Sequence, residues 1–273
     1  MNVAKLFDLS GKTALVSGGA TGIGQMACRA LLAAGAEVLT FSRKAGVCEA
    51  AAESLNAEGH PGRATGFIGD VGTEAGVDGV IAELQARTGR LDILVNNAGI
   101  TWGSPLGAFP HKAWDKVFSV NVAGLFHLTQ GLLPMLEAAG RAGDPARVIN
   151  IGSVTGEREM GDSAYSYASS KAAVHHLTRI LGKELAARNI TVNALAPGPF
   201  QSRMTAFATS TEDDMRAVAE QVPLGRVGTD SDIAGCVLFL AGQGGAYVTG
   251  AILPVSGGVN VMSGPSLFEH ALG

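Results

Sequence analysis

Short apolar runs of strand length recur along the chain at residues 13–17, 37–41, 64–68, 91–95, 147–151, 190–194 and 251–255. Longer stretches of helical composition lie between them, at 23–34, 45–57, 74–87, 114–139, 164–188 and 230–240. Gly124, Gly131 and Pro134 weaken parts of the 114–139 helix. Residues 200–228 are only weakly periodic, with one helical piece around 212–220, so segment 199–228 is predicted to be a substrate lid. The tail 259–273 carries no assignment. Regular alternation of strand and helix predicts an α/β fold: a doubly wound, parallel, seven-stranded sheet with helices on both faces. One domain over residues 1–273 is expected.

Composition supports a large core, with 47% hydrophobic and only 16% charged residues. A net charge of -4 argues against a nucleic-acid partner. The 38 glycines are about twice the usual ~7% and stand between apolar runs, which predicts tight turns and close helix–sheet contacts. Cys28, Cys48 and Cys236 are odd in number and lack metal-ligand spacing, so free thiols in a reducing, cytoplasmic setting and no metal are expected. Residues 1–12 lack the apolar core of a signal peptide. The uncharged stretch 233–268 is broken by Gly242, Gly244, Gly245, Gly250, Pro254, Gly257 and Gly258, so no membrane span is predicted.

The first strand runs into Gly18, Gly19, Gly22 and Gly24 and then a helix. This order suits a pyrophosphate at a helix N-terminus, where free N–H groups and the helix dipole favour an anion. The spacing is Gly-xxx-Gly-x-Gly. After the second strand an acid would bind a ribose 2′-hydroxyl and repel a 2′-phosphate. Here Ser42, Arg43 and Lys44 follow instead, which predicts NADPH rather than NADH. Asp70, the turn Asn96-Asn97-Ala98-Gly99 and Ser153 fall at strand C-terminal ends and are expected to converge.

Tyr167 and Lys171 are one helical turn apart, on one face of the 164–188 helix. A nearby ammonium favours the phenolate and is expected to lower the Tyr167 pKa, suiting the pair to proton transfer in a carbonyl/alcohol interconversion. His175 and His176 follow on the same helix and read as interface or surface residues, since a metal would need more ligands.

Taken together, these motifs resemble the short-chain dehydrogenase/reductase family from about Gly11 to Gly258. They are Ser17-Gly18-Gly19-Ala20-Thr21-Gly22-Ile23-Gly24, Asp70-Val71, Asn96-Asn97-Ala98-Gly99, Asn121, Ser153, Tyr167-xxx-Lys171 and Pro197-Gly198, in the family's order. Within the family the chain is most similar to bacterial 3-oxoacyl-thioester (acyl-carrier-protein) reductases of the rhamnolipid-type branch. That similarity rests on Leu91-Asp92-Ile93-Leu94-Val95, Trp102-Gly103, residues 147–154 and Ser202-Arg203-Met204-Thr205.

The resemblance implies a Rossmann-type strand order 3-2-1-4-5-6-7. It implies Tyr167 as proton donor and Lys171 as a group that tunes Tyr167 and holds the nicotinamide ribose. Ser153 would orient the carbonyl, and Asn121 would bend its helix and hold a water. Gly18, Thr21, Gly22, Ile23 and Gly24 would surround the pyrophosphate. Asp70 and Val71 would contact adenine, and Asn97, with Ala98 and Gly99, the adenosine ribose region. Pro197 and Gly198 would flank the nicotinamide, and Ser202 would face its carboxamide.

Ser17, Thr21 and Ser256 depart from the residues usual in the family. Arg188 matches one cation that carrier-protein reductases place at the cleft mouth, whereas Asp144 replaces another, with Arg141 nearby. Pocket candidates are Trp102, Val154, Glu157, Arg158, Met160, Pro199, Phe200 and Met204, with the charges at 157–159 read as a solvated rim.

An NADPH-dependent carbonyl reductase is therefore expected, acting on a small carbonyl or alcohol and in one reading on an acyl-carrier-protein or CoA thioester. A sugar, polyol or alicyclic alcohol dehydrogenase is the alternative, and a non-catalytic dinucleotide-binding scaffold the remote one. The resemblance also implies a homodimer or homotetramer, paired through helices 114–139 and 164–188.

Overall fold

The computed structural model describes residues 2–44, 46–159, 163–202, 204–205 and 211–262. Met160, Arg203 and parts of the 199–228 segment and of the tail lie outside the described residues. The strands are β1 (Thr13–Ser17), β2 (Glu37–Ser42), β3 (Ala64–Ile68), β4 (Ile93–Asn96), β5 (Ala146–Ile151), β6 (Ile190–Pro197) and β7 (Ile252–Val255). The helices are α1 (Val3–Leu6), α2 (Gly22–Ala33), α3 (Val47–Ala57), α4 (Glu74–Arg87), α5 (His111–Phe118), α6 (Leu125–Gly131), α7 (Leu133–Ala139), α8 (Tyr165–Leu185), α9 (Glu212–Glu220) and α10 (Asp230–Ala241).

All strand pairs named here are parallel, and the sheet order is β3-β2-β1-β4-β5-β6-β7, as the resemblance implies. Successive strand residues face opposite sides. Ala14, Val16, Ile93, Val95, Ile149 and Ile151 therefore bury one face against α2, α3 and α10, through Leu31, Leu55 and Val237 among others. Leu15, Leu39, Leu94, Val148 and Val192 bury the other against α4, α6, α7 and α8. Two covered faces explain why the strands read as continuous apolar runs.

Three expectations need correction. The predicted 114–139 helix is not continuous. It is interrupted by a π-helical turn over Ser119–Gly124, and again at Leu132, where φ -91° and ψ 0° precede Pro134. Pro134 has no N–H to carry the helix ladder onward. The fourth strand starts at Ile93 rather than 91. Asp92 is spent on capping β1, accepting the Thr13 N–H at 3.0 Å and ion-pairing with Arg90 at 2.6 Å. Helix α8 ends at Leu185, and a 3-10 turn (Ala186–Arg188) leads to Asn189, which holds a left-handed φ of 55° before β6. Helix α9 matches its predicted bounds.

Close helix–sheet contact is clearest where α3 crosses β3. A Cβ on Gly66 would collide with the backbone of Cys48 and Glu49. Neither element can move without opening the core, so Gly66→Ala should destabilise the protein by ~1–3 kcal/mol. The check is a shift of the urea unfolding midpoint at unchanged slope.

Candidate active site

The strand order reverses between β1 and β4, and a cavity of about 590 Å³ lies there beyond the C-terminal strand ends. The turn after β1 contributes Gly18, Thr21, Gly22 and Ile23, and the end of β2 contributes Ser42, Arg43 and Lys44. Asp70 and Val71 follow β3, and Asn97, Ala98 and Gly99 follow β4. Ser153, Tyr167, Lys171, Pro197, Gly198 and Ser202 complete the predicted wall. Gly24 and Asn121 stand behind that wall. Gly24 supports the turn from below, since a Cβ there would collide with the Gly18 carbonyl.

The site fits a dinucleotide on its own chemistry. Gly18 and Gly22 hold φ values of +69° and +56°, which fold the chain back on itself before α2. Thr21 stands at the N-cap of α2 in extended conformation and makes no side-chain capping bond, which leaves the helix N-terminus to an anion. Arg43 and Lys44 are exposed on the cavity rim beside Ser42. The Asn97 amide is committed to the turn, donating to the Ser17 and Gly18 carbonyls at 2.9 and 3.0 Å. Ser17 accepts the N–H groups of Asn97 and Ala98, each at 2.9 Å, so a serine suffices where the family usually has threonine.

At the other end, Lys171 is buried and its Nζ donates to the Ile151 carbonyl at 2.7 Å. The same Nζ lies 5.6 Å from the centre of the Tyr167 ring, as one-turn spacing requires. Ser153 is buried and lines the cavity with Tyr167. Asn121 occupies the π turn. Its Oδ1 accepts from Ile100 N at 2.9 Å, and its Nδ2 donates to Ile100 O at 3.0 Å and to Ser170 Oγ at 2.9 Å. The wide turn frees this amide to tie the loop after β4 to helix α8.

Against this geometry, a family model described as enoyl-(acyl carrier protein) reductase matches residues 18–260. The chain belongs to the short-chain dehydrogenase/reductase family. A rhamnolipids biosynthesis 3-oxoacyl-[acyl-carrier-protein] reductase of Pseudomonas aeruginosa is 44% identical over 93% of this chain and 98% of its own length. A galactitol 2-dehydrogenase (L-tagatose-forming) of Cereibacter sphaeroides is 36% identical over 96% of this chain and 100% of its own. The Pseudomonas aeruginosa RhlG/NADP active-site complex superposes with a TM-score of 0.90 at 43% identity, covering 96% of this chain and 100% of the other. A gluconate 5-dehydrogenase from Burkholderia cenocepacia, in complex with NADP and tartrate, gives 0.85 at 32% identity, covering 96% and 100%.

In this short-chain dehydrogenase/reductase several pocket expectations change. Phe200 and Met204 line the cavity, but Trp102, Val154, Glu157, Arg158 and Pro199 do not. Val154 packs into a small cluster with Val222 and Val259. Ile100 and Thr101 line the cavity and were not predicted, although they directly follow the Asn96–Gly99 turn. Asp144 and Arg188 precede β5 and β6, at the end of the sheet opposite the cavity. Asp144 pairs with Lys12 at 2.7 Å and Arg141 at 2.9 Å, and Arg188 pairs with Glu137. Ser256 is buried and donates to Asn260 Oδ1 at 2.8 Å, closing the C-terminal turn where the family usually has aspartate.

The electrostatic expectation for Tyr167 is reversed. Burial raises its pKa, and the hydrogen bond with Ser153 offsets only part of the rise. Burial also pushes the Lys171 ammonium down to about 8. Desolvation disfavours both charged forms, and it outweighs their proximity. The three cysteines are free, and burial pushes the Cys28 thiol up to about 12. Among the described residues no group of three His, Cys, Asp or Glu is placed to hold a metal, and no helix is long and apolar enough to cross a membrane.

His176 is exposed, but His175 is buried, contrary to expectation. It lies one turn beyond Lys171 and packs under β5, with Nε2 accepting the Ser153 N–H at 3.4 Å. Gly152 must be glycine there, because a Cβ would overlap His175 Nε2. Burial, with the charges of Lys171 and Arg179, lowers the His175 pKa from 6.5 to about 4. The unfolded chain therefore takes up this proton first, and stability falls as pH drops from 6.5 towards 4. His175→Gln should remove ~1–2 kcal/mol of the stability lost between pH 7 and 5. Urea unfolding at the two pH values measures it.

Proposed function

We propose that this chain is an NADPH-dependent carbonyl reductase acting on 3-oxoacyl thioesters, with Tyr167, Ser153, Lys171 and Asn121 as its catalytic set. The observation that carries the reading is one cavity with Ser153, Tyr167 and Lys171 at one end and Arg43 and Lys44 at the other. NADPH supplies a hydride to the carbonyl carbon when bound. Tyr167 gives its proton to the carbonyl oxygen, and its raised pKa keeps that proton in place at neutral pH. Ser153 hydrogen-bonds the same oxygen as negative charge develops on it. Lys171 holds the nicotinamide ribose hydroxyls, and Asn121 holds a water that links Lys171 to solvent. Pro197, Gly198 and Ser202 position the nicotinamide, and Asp70 and Val71 the adenine.

Arg43, Lys44 and Ser42 hold the 2′-phosphate with charge-assisted hydrogen bonds. The thioester reading is supported by the apolar wall of Ile100, Phe200 and Met204. It is also supported by the relative named a 3-oxoacyl-[acyl-carrier-protein] reductase. A sugar or polyol substrate is the second reading. Polar groups at Thr101 and Ser202 on the same wall favour it, as do relatives named galactitol and gluconate dehydrogenases. Segment 199–228 serves as the lid, its two ends joined by the Phe200–Gly228 bridge and its body contact made by the Leu224 N–H to Gly257 carbonyl bond of 3.0 Å. A cytoplasmic homodimer or homotetramer completes the proposal, with exposed Trp114 and Ile180 on the pairing helices.

Purified protein with NADPH and an acetoacetyl thioester should consume the dinucleotide, followed by absorbance, and Tyr167→Phe should lower kcat about 10²–10⁴-fold. Turnover of polyols or sugars but not of thioesters would move the substrate to the second reading. Arg43→Ala with Lys44→Ala should lower kcat/KM for NADPH roughly 10- to 100-fold and leave NADH almost unchanged. An equal loss with both dinucleotides would remove the 2′-phosphate role.

A further inference from the structure

We propose that Ser170 is a positioning residue that sets the spacing between the cavity loop after β4 and the helix that carries Tyr167 and Lys171. This role rests on the catalytic reading of Tyr167 and Lys171 given above and belongs to a residue outside that set. Ser170 directly precedes Lys171 on α8, is buried, and stands outside the cavity lining. Its hydroxyl donates to the Tyr167 carbonyl, one turn back, at 2.7 Å. A carbonyl only accepts, so the one serine proton is spent there. Towards Asn121 the Ser170 oxygen acts as acceptor, and it takes the Asn121 Nδ2 donor at 2.9 Å. Asn121 Nδ2 also donates to Ile100 O at 3.0 Å, and its Oδ1 accepts the Ile100 N–H at 2.9 Å. A directed chain of bonds thus runs from Ile100 through Asn121 and Ser170 to the backbone of Tyr167.

Residues 97–101 line the same cavity as Tyr167 and Lys171. They also rest on the catalytic helix: a Cβ on Gly99 would stand 3.4 Å from Asn121 Oδ1 and 3.6 Å from Lys171 Nζ. Asn121 grips the loop by both backbone groups of Ile100, and Ser170 carries the hydrogen bond that joins this grip to α8. Without the Ser170 hydroxyl, one Nδ2 proton is left buried and unpaired, and the amide is freer to turn away from Ile100. The loop then drifts relative to Tyr167 and Lys171. Reactants held in that cavity lose alignment with the Tyr167 proton, which costs rate rather than affinity.

Ser170→Ala removes the hydroxyl and leaves a good helix former of smaller volume. Hydrogen exchange followed by mass spectrometry, without dinucleotide or substrate, reads the loop in peptides spanning 97–103 and the sheet in peptides spanning 146–151. In Ser170→Ala the loop amides should exchange roughly two- to tenfold faster, with the sheet amides unchanged. Carbonyl reduction should lose about three- to tenfold in kcat, with KM for carbonyl and for NADPH unchanged. Loop exchange identical in Ser170→Ala and the parent overturns the inference, whatever the activity. So does an equal gain in loop and sheet, which would assign Ser170 to general packing. A faster loop with unchanged kcat also overturns it, since the tie would then serve no catalytic step. A parent protein that turns over no carbonyl or alcohol would refute the reductase reading, while the exchange experiment would still decide whether Ser170 holds the loop.

Discussion

Much of the site follows from one buried contact, the Lys171 ammonium on the Ile151 carbonyl. A buried charge is costly unless it is hydrogen-bonded, and here the bond is 2.7 Å long. Ile151 is the last residue of β5, so the contact pins helix α8 to the C-terminal edge of the sheet. Helical spacing then places everything else on that face. Tyr167 lies one turn before Lys171 and points with it into the cavity, while His175 lies one turn after and packs beneath Gly152. Ser170, between them, reaches Asn121 at 2.9 Å.

A second polar layer holds the same helix against the sheet. Asn96 at the end of β4 donates to Thr129 at 3.0 Å and to Asn150 at 2.9 Å, and Asn150 donates to Thr178 at 2.9 Å. Thr129 and Thr178 each donate onward to a carbonyl four residues back in their own helices, at 2.8 Å. The chain of bonds joins β4, β5, α6 and α8 inside an otherwise apolar core. Such a layer restrains its members, because breaking any of these bonds would leave a further buried polar group unpaired beside Asn96 Oδ1, which already has no partner. The carbonyl that we propose between Ser153 and Tyr167 needs that fixity more than it needs extra stability.

The contacts that sequence reading located are those set by short-range geometry. Tyr167 and Lys171 were legible because four residues make one helical turn. Ser42, Arg43 and Lys44 were legible because they end a strand on the ligand side of a parallel sheet. The misreading has a different cause. His175 was read as an interface or surface group because its cover, Gly152 just after β5, is remote in sequence. Glu157 is exposed, as the solvated-rim reading requires, and it also faces His175 Nδ1 at 3.6 Å. Asn121 sits in a bent helix, as the resemblance implies, and its bonds to Ile100 and Ser170 hold the π turn around it.

By itself the sequence determined the alternation of strands and helices, the glycine turn before α2 and the spacing of the Tyr167–Lys171 pair. These follow from local periodicity and backbone sterics, which each segment carries with it. The tertiary structure decided which charges survive burial. It set the Tyr167 pKa upward rather than downward, took Asp144 and Arg188 to the far end of the sheet, and closed Ser153 between Thr155 and His175. Desolvation depends on what every neighbouring element covers, and no single stretch of the chain contains that information.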